Sequence, residues 1–274
     1  MSTRVPNRKL VQPVIGPSPI PGCRALFDLR WGVDLISGRF CSSNSATRFT
    51  GIGGQAHDFS GGSNLQWAHH PDYAITGPLT VVAFLDVDTL SNYGAIIAKQ
   101  GATTNNICYE WRVGAAINDS KLQMNRGGAA CYGTAYAGTN QFSAGAKQVC
   151  IAQRWPSDQC DAGSSVFTNG VEVGLSSTFS GSGSRTITDN GSSSVWVGRR
   201  FDTSAVALDG KIYWVALFDR GLDNNEIFNI YANPSIIFPT QPRRSRVGVA
   251  GAPPGGFLPA WVRRRSQVIG AGVH

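Results

Sequence analysis

LDGKIYWVALFDRGLDNNEI, residues 208–227, reads as a strand closed off by a capped helix. Ile212, Trp214, Ala216 and Phe218 alternate with Tyr213, Val215 and Leu217, and both sets are apolar. An apolar run of this length, rich in β-branched and aromatic residues, suits a strand buried on both faces. Asp209-Gly210 is a tight-turn signal that starts it, and Arg220-Gly221 ends it. Asp223 then caps a short helix, with Glu226 three residues on as in a capping box. That helix is expected to pack Leu222, Ile227 and Ile230 on the sheet and to stop before Asn233-Pro234.

The remaining sequence agrees with a strand-rich chain. With Gly 33, Pro 14 and only 15% charged residues in 274, composition favours an all-β protein with many turns. Alternating or apolar segments recur at 25–28, 79–88, 95–99, 108–114, 121–125, 147–155 and 195–199. Residues 34–38 read as a turn, and 55–67 as strand, turn, strand. Ser165–Gly174 forms a hairpin signal around Asn169-Gly170, a turn that needs positive φ.

In this order the segments resemble the laminin-G-like branch of concanavalin-A-like domains. The match runs over residues 23–238 and includes the closing phrase Asp209-Gly210 to Glu226-Ile227. The resemblance implies a two-sheet antiparallel jelly-roll sandwich, with an extended N-terminal arm (1–22) and a Pro/Arg-rich C-terminal tail (239–274).

Charge is partitioned along these boundaries. Of 24 Lys and Arg residues, nine lie in the two termini, which carry no acid, so the central domain holds 15 basic against 17 acidic residues. The net charge of +7 thus belongs to the ends, and the near-neutral sandwich is not the basic face of a nucleic-acid-binding fold. No apolar stretch of about 18 residues occurs, so no membrane span is expected. The proline-rich start has no continuous apolar segment of the kind an export signal needs. The six cysteines lack metal-ligand spacing, and reduced thiols are expected.

Catalysis finds little support. The chain has three glutamates, Glu110, Glu172 and Glu226, none near another in sequence, whereas retaining glycosidases need two carboxylates about 5 Å apart. No local motif joins His57, His69, His70 or His274 to a nucleophile, so packed thiols and surface imidazoles are expected. Calcium is a frequent ligand of the resembled family. Asp58, Asp86, Asp88 and Asp209 lie near strand ends, but their spacing matches no calcium loop, so no cofactor is expected beyond that option.

Two functions remain. Such domains with basic, proline-rich ends resemble virion structural proteins of tailed bacteriophages: capsid decoration, head-fibre or tail-associated. That resemblance implies a non-enzymatic assembly protein of the virion, put together in the host cytoplasm. Its partners would be other virion proteins and copies of itself. Docking would run through Arg4, Arg8, Lys9, Arg243, Arg244, Arg246, Phe257, Trp261, Arg263, Arg264 and Arg265, because arginine and aromatic side chains anchor interfaces. The alternative is a carbohydrate-binding module for host-surface glycans, using Trp67, Tyr93, Tyr132 and Tyr136 beside amides, with the Gly-Ala-Tyr-rich stretch 127–140 as the exposed aromatic loop.

Overall fold

The computed structural model describes residues 15–239, apart from 52–53, 60–61, 90–93, 101–106, 114–121, 128–130, 138–142, 160–163, 174, 182–185, 190, 192 and 201–202. The described residues all belong to one compact unit, Met1–Thr240. The expected tail contacts and the basic residues of the N-terminal arm, Arg4, Arg8 and Lys9, lie outside them.

In chain order the strands are β1 (Cys23–Asp28), β2 (Val33–Asp34), β3 (Ser43–Asn44), β4 (Thr47–Gly51), β5 (Gly54–Asp58), β6 (Leu65–Trp67) and β7 (Leu79–Val87). They continue with β8 (Gly94–Gln100), β9 (Ile107–Val113), β10 (Leu122–Gly127), β11 (Cys131–Ala137), β12 (Val149–Trp155), β13 (Ser165–Thr168) and β14 (Val171–Val173). The last are β15 (Leu175–Gly181), β16 (Val195–Val197), β17 (Arg199–Arg200), β18 (Thr203–Ala207) and β19 (Gly210–Phe218), followed by helix α1 (Asn224–Ala232).

They form two sheets. One has nine strands, β14-β13-β12-β7-β19-β1-β2, with β5 on β19 and β4 on β5. The other has ten, β15-β11-β10-β9-β8-β16-β6-β3, with β18 on β8 and β17 on β18. The chain passes between sheets at β2–β3, β3–β4, β5–β6, β6–β7, β7–β8, β11–β12, β14–β15 and β18–β19. Pairing is antiparallel except for one parallel contact, Ala207 with Ala95. This is the expected two-sheet jelly-roll sandwich.

The closing strand behaves as its sequence dictates, with one departure. β19 lies between β1 and β7 and is buried nearly throughout, and Asp223 and Glu226 make the reciprocal bonds of a capping box. Strict alternation would put Ile212 on the face of Trp214, Ala216 and Phe218. Instead a bulge at Tyr213 shifts the register, because Ile212 pairs with Leu85 and Trp214 with its neighbour Phe84. One extra residue inverts the phase of all that precede it. Ile212 therefore joins Val215 and Leu217 between the sheets, while Trp214, Ala216 and Phe218 face outward.

Outward does not mean solvent here. Leu222, Ile227, Ile230 and Ile237 lay α1 and the following 3₁₀ turn over that outer face, with Leu26, Val82, Ala152 and Phe167 below. β7 is accordingly buried on both faces apart from Phe84, rather than half-exposed as its alternation suggests. Residues within the expected N-terminal arm also take part. Ile20 is buried in this layer, and the Ser18 hydroxyl donates to the Ile237 carbonyl at 2.8 Å. Between the sheets, the Trp111 indole N–H donates to Gln153 Oε1 (2.8 Å), and Gln153 Nε2 donates to Ser164 (3.0 Å). This chain satisfies polar groups that would be costly to bury unpaired.

Candidate functional site

With α1 covering the nine-stranded sheet, the outer face of the ten-stranded sheet is the other candidate; its central residues Ala98 and Glu110 are buried, and Gln66 and Trp196 beside them are half-buried. Its composition follows from register. Val195 and Val197 are drawn into the core, so Trp196 between them stands on the outer side. Cross-strand pairing carries that rank across the sheet: Gln66, Trp196, Ala98, Glu110, Asn125, Thr134, Thr178. The next rank runs Arg112, Gln123, Tyr136, Ser176, and a third Gly127, Tyr132, Ser180. Trp111, Tyr109 and Met124, at the alternate positions, fill the core.

The electrostatics of this face centre on Glu110. Its carboxylate is wholly buried, with Arg112 Nη1 3.4 Å and Arg200 Nη1 3.8 Å from Oε1. Bracketing by two guanidinium groups fixes the carboxylate as an acceptor and aligns both arginines along the sheet. Beside it the Arg199 guanidinium lies 5.3 Å above the centre of the half-buried Trp196 ring and also donates to the Gly62 carbonyl. Gln66 Nε2 donates to the Ser194 hydroxyl at 2.9 Å. An indole flanked by amide and guanidinium donors is the chemistry that grips a sugar: ring C–H groups on the aromatic face, hydroxyls on the polar groups.

The structure redistributes the aromatic candidates. Trp67 is removed from the site. It is buried in the core, its ring 4.6 Å from Phe27, with its indole N–H donating to the Arg39 carbonyl. The cause is the alternation of β6, in which Leu65 and Trp67 face inward and Gln66 outward. Positions 131–137 form strand β11 rather than an exposed loop. Tyr132 and Tyr136 therefore hold positions four residues apart on one strand, Tyr136 in the rank of Arg112 and Gln123 and Tyr132 in the rank of Gly127 and Ser180. Tyr93 lies outside the described residues. Sequence reasoning passed over Trp196, Glu110, Arg112 and Arg200 as site residues. The available signal was the Val-Trp-Val alternation, which makes the tryptophan outward once its neighbours are core.

The four aspartates weighed for calcium lie at one end of the nine-stranded sheet, and the groups around them do not fit a cation. The Lys211 ammonium is 2.5 Å from Asp88 Oδ2 and 3.8 Å from Asp58 Oδ2. Lys147 pairs with the other Asp88 oxygen. Asp86 accepts from Tyr213 (3.2 Å) and the Gln148 N–H (2.8 Å), and Asp209 from Thr89 (2.5 Å). Burial works against the Asp88 anion, yet the bonds from Lys147 and Lys211 hold it below its ordinary carboxylate value. Among the described residues no group of three or more His, Cys, Asp or Glu is arranged for a metal.

His57 is buried rather than a surface imidazole. Cys23, Cys41, Cys108 and Cys150 are free thiols, and burial pushes Cys108 up to about 11 and Cys150 up to about 12. Such thiols are inert.

No protein-family model matches the chain, and no curated protein matches it in sequence. Solved structures do. Domain 4 of AbnA, a GH43 extracellular arabinanase from Geobacillus stearothermophilus solved with arabinotriose, aligns with a TM-score of 0.51 at 14% identity, over 76% of this chain and 98% of that one. The binding domain of Paraclostridial Mosquitocidal Protein 1 gives 0.53 at 9% identity, over 77% and 52%. Trypanosoma rangeli sialidase gives 0.50 at 15%, over 81% of this chain and 34% of the sialidase. The chain thus spans about half of the mosquitocidal binding domain and a third of the sialidase. At these identities the likeness shows the fold alone, a two-sheet antiparallel β-sandwich.

Proposed function

We propose that the chain is a carbohydrate-binding module whose ligand lies on the outer face of the ten-stranded sheet. The observation that carries the reading is Trp196, held on that face beside Arg199, Gln66 and the Arg112–Glu110–Arg200 cluster. Support comes from the shared fold of the arabinanase domain solved with a trisaccharide. The proposed role is binding rather than cleavage, because the Glu110 carboxylate is held between Arg112 and Arg200.

The test is a glycan array followed by calorimetry on the best ligand. Trp196→Ala is expected to weaken binding about tenfold, since an aromatic contact contributes on the order of 0.5–1.5 kcal/mol beyond the area it buries. An unchanged melting temperature would show that the fold is intact. A blank array with folded protein, or full affinity in Trp196→Ala, refutes the reading.

The charge partition favours a second, compatible reading, display of this module on a phage particle through its basic ends. Because residues 15–22 help cover the sandwich, the informative truncations are 1–14 and 240–274. Full incorporation of the truncated chain into particles would sink that reading and leave glycan binding untouched.

A further inference from the structure

One rank on the inner side of the ten-stranded sheet carries charge into the core. Val195 of β16 pairs with Lys99 of β8, Lys99 with Tyr109 of β9, and Arg126 of β10 with Gly133 of β11. The pairing of Asn125 with Glu110 sets Arg126 beside Tyr109. Lys99, Tyr109 and Arg126 are wholly buried. A charge in a sandwich core requires a partner. Lys99 pairs with the Asp189 carboxylate. Arg126 meets only carbonyls: Nε donates to Cys108 (3.1 Å), Nη1 to Gly77 (2.8 Å) and Nη2 to Ile75. These bonds tie β10 to the crossover from β6 to β7, but three carbonyl dipoles bring no net charge.

Among the described residues no carboxylate meets Arg126, and the two side chains beside it that could ionise stay neutral. Burial raises the Tyr109 phenol well above its usual value and pushes the Cys108 thiol up to about 11, so both keep their protons at neutral pH. Burial lowers Arg126 to about 10, which still leaves it charged there. Cys108 Sγ donates to the Ile75 carbonyl at 3.5 Å. The Tyr109 hydroxyl, by contrast, has no hydrogen-bond partner among the described residues. A buried donor without an acceptor is costly, and this one stands next to an uncompensated cation. Gly133, paired with Arg126, adds no side chain to the rank.

We propose that Arg126 and Tyr109 bind a small monovalent anion, chloride in solution, between the two sheets. Nη1 and Nη2 each keep one N–H beyond the carbonyl bonds, and Tyr109 adds an O–H, so the pair offers donors only. A water would accept from Tyr109 but would leave the guanidinium charge uncompensated in a low-dielectric interior, whereas an anion serves both groups. Sulfate or phosphate would bring a further negative charge and more oxygens than one guanidinium and one hydroxyl can satisfy. Because the same guanidinium holds Ile75 and Gly77, anion binding is linked to the stability of that end of the sandwich. The site lies on the inner side of the sheet that carries Trp196 outward, and it does not depend on the glycan reading.

Thermal unfolding of the full chain in sodium chloride and in sodium gluconate, each at about 0.15 M so that screening is equal, tests the site. The melting temperature should be about 3 °C higher in chloride, as for a ligand at roughly tenfold its dissociation constant. Tyr109→Phe removes only the hydroxyl and should weaken chloride binding about tenfold, shrinking the difference to about 1 °C. Arg126→Met should abolish it, and Tyr109→Phe carries the test should Arg126→Met fail to fold. Crystals grown in sodium bromide should show an anomalous peak between Arg126 and Tyr109. Equal melting of the wild type in the two salts, the result expected of a bound water, overturns the proposal. So does an undiminished chloride effect in either folded variant, or bromide found only on the protein surface.

Discussion

Gly198 lies against the ring of Phe59, so close that a Cβ at 198 would collide with Cδ1 and Cε1 and stand 2.7 Å from Cγ. Its φ is +86°, a region that side-chain-bearing residues avoid. Gly198 N–H donates to the Ile96 carbonyl, and Leu208 N–H donates to the Gly198 carbonyl. This one residue therefore sets the angle at which β16 passes Trp196 to Arg199.

Gly198→Ala should be the most costly single-methyl addition in the sandwich. Overpacking against a ring adds to an unfavourable φ, so the loss should be about 3 kcal/mol or more. Urea unfolding measures it, and a loss below about 1 kcal/mol would show that Phe59 moves freely. Any glycan affinity should fall with it, because Arg199 shifts relative to Trp196.

His57 makes the fold acid-sensitive. Asn44 Oδ1 already accepts from Ala46 N–H, so the Asn44 amide donates to His57 Nε2, and His57 Nδ1 donates to the Leu29 carbonyl. The ring is then neutral, with no acceptor for a second proton. Burial lowers its pKa below 6.5, the Leu29 bond opposes that, and the charge of Arg48 adds to it. A lowered histidine pKa means that the unfolded chain takes the proton first. The stability is present above pH 6.5 and is lost as pH falls below it. Between pH 7 and 5 the melting temperature should drop more steeply for wild type than for His57→Gln. Equal slopes would contradict this.

Lys211 acts as an internal counter-ion for carboxylates that would otherwise repel. Lys211→Gln should destabilise the sandwich by about 1–3 kcal/mol, the usual cost of leaving partly buried acids without their cation. Millimolar calcium should then raise the melting temperature of the variant and leave the wild type unchanged. A calcium response in the wild type would show that the lysine does not fill the position.

The closing strand and its helix were legible because each signal was local. Asp209-Gly210, the apolar run, Asp223 and Glu226 act over at most a few residues, and Asn169-Gly170 adopts the positive φ values of 50° and 78° that its turn requires. The bulge at Tyr213 was not legible, since it arises from how β19 meets β7 and β1, strands more than 100 residues away in sequence. The same limit misplaced Trp67, whose direction depends on which face of β6 meets Phe27.

Composition, turn chemistry and apolar periodicity determined an all-β sandwich with a capped closing helix, because those preferences are set by neighbouring residues. The packing of α1 on its sheet through Leu222, Ile227 and Ile230 was also legible; only the tertiary structure decided that Trp196 faces outward beside Arg199 and that Lys211 sits among the aspartates. Those outcomes depend on register and on contacts between distant strands, and a one-residue shift in pairing turns every side chain to the other face.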